Sequence, residues 1–120
     1  MKIKLKLTDN QIHAFATVVK YTLNTITNTD FESIQYSDAL TGLLLNLIKK
    51  MPLLRPNNSF SLTEIEALAL YNLLGNLADR FQPYEKCLIY KILSEIDMQK
   101  HLHLSLKRAN IVRLELTKIE

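Results

Sequence analysis

The chain has 120 residues, a formal net charge of +3, 48% apolar residues and 22% charged residues. That balance suits a single globular domain over 1–120 and excludes a disordered polyelectrolyte. A membrane span needs roughly 20 apolar residues, and the most apolar run, Leu40 to Ile48, is too short and contains Thr41 and Asn46. Cys87 is the only cysteine, which excludes an internal disulfide and fits a reducing compartment.

Lys2, Lys4 and Lys6 alternate with Ile3, Leu5 and Leu7, the period of a strand with one wet face. The alternation leaves no continuous apolar segment of the kind an export signal carries. A cytoplasmic protein is therefore expected, in which the sequon Asn57-Asn58-Ser59 goes unused. Thr8 to Gln11 reads as a capping box that starts a first helix, with Ile12, Phe15, Ala16, Val19, Leu23 and Ile26 on its inner face. The Thr- and Asn-rich run Thr25 to Thr29 ends it, since those residues are weak helix formers.

A second helix begins between Asp30 and Ser37 and carries Leu40, Leu43, Leu44, Leu47, Ile48 and Met51. Lys49 and Lys50 suit the negative end of its dipole. Because Leu43, Leu44, Leu45, Leu47 and Ile48 cannot all point one way, this helix is expected at the centre of a bundle, or else at a dimer contact. Pro52, Pro56 and Asn57-Asn58-Ser59 mark the longest loop. Ser61 to Glu64 offers a second capping box, followed by a third helix with Ile65, Leu68, Ala69, Leu73, Leu77 and Phe81 facing inward. Pro83 suits the first turn of a fourth helix, which continues through Leu88, Ile89, Ile92, Leu93 and Ile96 to about Lys100.

Beyond it, Val112, Leu114 and Leu116 alternate with Arg113, Glu115 and Thr117, favouring a strand, although Val112, Leu116 and Ile119 also fit a helix. Four antiparallel helices bring the chain back to the end where it began. The two terminal strands are therefore expected to pair antiparallel. The fold class is mainly α: a four-helix bundle-like domain with short N- and C-terminal β-strands.

No catalytic or cofactor chemistry is legible. Gly42 and Gly75 are the only glycines and both lie in helical patterns, which excludes the glycine-rich loops that cradle phosphates. Close helix approach is the expected reason for both. His101 and His103 diverge on a helix and share a face only on a strand, and two nitrogens do not make a zinc site, even with Asp97 added. Cys87, near Tyr84, Leu88 and Tyr90, is expected to pack as a small hydrophobe. The pairs Glu64/Glu66, Glu95/Asp97 and Asp79/Glu85 fit helix first turns and polar faces better than a catalytic dyad. We therefore expect no catalytic residue, cofactor, metal or small-molecule ligand.

Charge distribution is the more informative feature. The first seven residues hold three lysines and no acid, and Lys100, Lys107, Arg108, Arg113 and Lys118 face only Glu115 in the last stretch before Glu120. The centre is mildly acidic. A ribbon presenting Lys2, Lys4, Lys6, Lys107, Arg108 and Arg113 would attract phosphate, although no aromatics interleave with the bases to stack on nucleotides. Tyr21, Tyr36, Tyr71, Tyr84 and Tyr90 are spread over the helices, and tyrosine favours interfaces. The expected function is a non-enzymatic protein interaction or accessory module, self-associating or binding a protein partner. Nucleic-acid binding through the basic ribbon is the alternative.

Overall fold

The computed structural model describes residues 2–27 and 29–100. In chain order these form β1 (Lys2–Leu7), α1 (Asp9–Thr25), α2 (Phe31–Lys50), β2 (Asn58–Thr63), α3 (Glu64–Leu77) and α4 (83–100). Short 3₁₀ turns follow α2 at Met51–Leu53 and α3 at Ala78–Arg80. The chain is mainly helical, with one two-stranded antiparallel sheet among the described residues.

The helix starts follow local chemistry. Thr8 and Gln11 close a reciprocal capping box on α1, with the Thr8 amide donating to Gln11 Oε1 over 2.9 Å and the Gln11 amide to Thr8 Oγ1 over 3.2 Å. Asp30 caps α2 by accepting from the Ser33 amide at 2.7 Å, and that bond holds its carboxyl below the usual carboxylate range. Both arrangements satisfy amides that a helix start leaves unpaired.

Among the described residues β1 pairs with β2; the expected strand at 112–116 lies outside them. Lys2 stands opposite Thr63, Lys4 opposite Ser61 and Lys6 opposite Ser59. Ile3, Leu5 and Leu7 alternate inward, as do Phe60 and Leu62 on the other strand. The region read as loop and capping box is therefore strand up to Thr63. Pairing with β1 takes up the backbone around Ser61, and the cap moves to the overlapping Thr63-x-x-Glu66 signature. The Glu66 amide donates to Thr63 Oγ1 over 3.3 Å and the Thr63 amide to Glu66 Oε1 over 2.8 Å, which also explains a buried glutamate. Thr63→Ala should lower stability by about 1 kcal/mol, the usual worth of an N-cap, measurable as a shifted urea midpoint with unchanged slope.

The buried residues of α3 are Glu66, Ala67, Ala69, Leu70 and Leu74; Ala69 is inside as its spacing predicts, whereas Ile65 and Leu68, read as core, are exposed. Apolar residues surround α3 on nearly every side, so periodicity does not select a face; the direction of entry from β2 does. The core joins the inner face of the sheet to Ile12, Phe15 and Val19 of α1, Leu40, Leu43 and Leu47 of α2, and Leu88, Ile89, Ile92 and Ile96 of α4. Thr22, also buried, donates its hydroxyl to the Val18 carbonyl at 2.9 Å, so its burial leaves no donor unsatisfied.

Candidate functional site

Two surfaces stand out: the wet face of the ribbon and the outer face of α2. Pairing in the observed register puts Lys2, Lys4 and Lys6 on one exposed face, beside the exposed Thr63, Ser61 and Ser59. The face combines ammonium groups with hydroxyls and has no carboxylate on either strand.

The other edge of β1 lies against α4. The Lys4 amide donates to Gln99 Oε1 over 3.0 Å and Gln99 Nε2 donates to the Lys4 carbonyl over 2.9 Å. One side-chain amide thus makes the pair of bonds that a neighbouring strand would make. Glu95 accepts from Gln99 at 3.1 Å and holds it in place. Lys91 reaches the Lys6 carbonyl at 3.2 Å. Between β1 and α4 runs a groove of about 400 Å³, where the ammonium groups of Lys4, Lys6 and Lys91 outnumber the Glu95 carboxylate. Lys91 went unnoticed in the sequence because it lies 85 residues from Lys6. Lys107, Arg108 and Arg113 lie outside the described residues, as do His101 and His103.

The second helix is not wrapped on all sides. Tyr36, Leu40, Leu43 and Leu47 are buried, while Phe31 is 74%, Ile34 45%, Leu45 53% and Ile48 50% exposed. The inner row packs on α1 and α3 and leaves the outer row to solvent among the described residues, so central burial is corrected. Tyr36 is a structural rather than a surface tyrosine: its hydroxyl donates to Glu32 at 2.8 Å and accepts from Asn72 of α3 at 2.7 Å. Burial raises its pKa, with the Glu32 carboxylate adding to the effect.

Close helix approach among the described residues does not explain the glycines either. A Cβ at Gly42 or Gly75 would meet no heavy atom within 4 Å. Cys87 is exposed rather than packed, because α4 turns Leu88 and Ile89 inward and leaves the preceding position outside. His13 is exposed on α1. The carboxylates are dispersed: Glu66 serves its cap, Glu95 holds Gln99, and Asp79 pairs with Lys86 at 2.7 Å. The hydrogen bond and charge of that pair lower the Asp79 pKa and raise that of Lys86. Among the described residues no three His, Cys, Asp or Glu side chains gather where a metal ion could sit, and no helix is long and apolar enough to cross a membrane. No protein-family model, curated protein or solved structure matches this chain.

Proposed function

We propose that the chain is a small, cytoplasmic, non-enzymatic interaction module, a four-helix bundle-like body whose working surface is the outer face of α2. The observation that carries this reading is the row of large apolar side chains left exposed on a helix whose opposite side is fully buried. Scattered surface leucines need no explanation, but two apolar pairs on one helix face, Phe31 with Ile34 and Leu45 with Ile48, suit an interaction site. A photo-crosslinking amino acid at Leu45 should capture a discrete protein adduct in cells, whereas the same group at Thr17, exposed on α1, should not. No adduct, or equal capture at both positions, removes the reading.

The ribbon supports a second reading, phosphate-backbone binding, because its three lysines share one acid-free face and Lys91 extends the charge along the adjoining groove. Retention on generic DNA should then fall with salt, by about one power of concentration per phosphate contacted. Replacing Lys2, Lys4 and Lys6 with Glu should abolish it. Salt-insensitive retention, or retention untouched by the triple change, eliminates nucleic acid as the ligand.

A further inference from the structure

Six exposed positions run along the outer face of α2: Phe31, Ile34, Asp38, Thr41, Leu45 and Ile48. Their intervals alternate between three and four, the a/d spacing of a coiled-coil seam. From either end the row runs apolar, apolar, polar, polar, apolar, apolar. It is therefore complementary to itself when reversed. A second copy turned end over end about an axis between residues 39 and 40 sets Phe31 level with the partner's Ile48, Ile34 with the partner's Leu45, and Asp38 with the partner's Thr41. These are the a-against-d layers of an antiparallel helix pair.

Two further observations point the same way. Asp30 and Glu32 are exposed at the entry of α2 and Lys49 is exposed at its exit. Antiparallel pairing brings the acidic entry of each copy beside the basic exit of the other and opposes the helix dipoles, whereas parallel pairing stacks like charges. Gly42 borders the seam in a helix interior, where glycine weakens the helix. Nothing among the described residues requires it there, since a Cβ would meet open space. The missing side chain would let a second backbone come close.

We propose that α2 pairs antiparallel with α2 of a second copy through this seam, making the chain a two-fold symmetric dimer. Asp38 and Thr41 form a polar middle that sets the register. The proposal rests on the interaction-module reading and names its partner.

Sedimentation equilibrium of the full chain should show a reversible dimer, and Leu45→Lys, at a position 53% exposed in the single chain, should weaken it by about thirtyfold or more, as for an apolar anchor of an interface. Circular dichroism should show the helical content of Leu45→Lys unchanged. Register is read by cysteine cross-linking in a Cys87→Ser background. Mixing Ile34→Cys with Leu45→Cys should give an oxidised dimer, while either variant alone should not, because like positions sit about 16 Å apart along the axis. A chain monomeric to about 1 mM, a dimer indifferent to Leu45→Lys, or cross-linking between like positions overturns the proposal. A purified monomer whose Leu45 cross-linker still captures a different protein in cells overturns self-pairing while leaving the interaction-module reading standing.

Discussion

Phe15→Ala should destabilise the protein by about 3–5 kcal/mol, the cost of emptying a buried aromatic site. Phe15 is fully buried and meets Phe60 of β2 edge to face, with ring centroids 6.3 Å apart and planes at 83°. It is the bolt between α1 and the inner face of the ribbon. Domains of this size have only about 5–15 kcal/mol of net stability, so the variant should lose a large share of it and unfold at a much lower urea concentration. The pair of Tyr21 and Phe81, at 5.0 Å, offers a control: Tyr21 is partly exposed, so Tyr21→Ala should cost distinctly less. Equal losses at the two positions would show that the core is not centred where Phe15 lies.

Asn58→Ala should cost about 2–3 kcal/mol, more than a surface asparagine allows. The Asn58 side chain is buried at the start of β2 and makes three bonds. Its Oδ1 accepts from the Arg55 amide at 3.0 Å, and its Nδ2 donates to the Arg55 carbonyl at 2.7 Å and the Leu7 carbonyl at 3.3 Å. These bonds fasten the turn into β2 to the end of β1. Asn58→Asp tests the donor role directly, because a carboxylate would face two carbonyl oxygens. Repulsion and burial should raise the pKa of the introduced carboxyl above its unfolded value of about 3.9. The penalty should be greatest at neutral pH and shrink as pH falls through that raised pKa, where the protonated acid can donate again. A pH-independent penalty would show that the side chain acts only by filling space.

Both predictions concern the joint between ribbon and helices, the part of the fold least visible in the chain. The alternation of Lys2 to Leu7 announces β1, but its partner is far away in sequence and hidden behind two prolines and two asparagines. The polar-apolar alternation of Ser59 to Thr63 is short and overlaps two capping signatures. Ser61-x-x-Glu64 and Thr63-x-x-Glu66 are locally equivalent, and only pairing with β1 chooses between them. The lysines of the wet face were legible from their spacing. The hydroxyls opposite them and Lys91 beside them were not, because neighbours across a ribbon or a groove leave no local trace.

The apolar face of α2 shows the same division. Ile48 reads as core because nothing in its chemistry distinguishes it from Leu43 and Leu47, and Leu45 reads as buried only if α2 is central rather than at a dimer contact. Whether a leucine is inside depends on which side of the helix its neighbours occupy, and α1 and α3 both pack on the Leu40, Leu43 and Leu47 side.

Local chemistry suffices to place the strand at the N-terminus, the capped start of α1, the proline entry to α4 and the helical character of the body. Each depends on bonds or dihedral preferences spanning only a few residues. The strand paired with β1, the inward face of α3 and the exposure of α2 were decided by assembly. In each case two local solutions are nearly equal in energy, and the burial of apolar surface against distant segments breaks the tie.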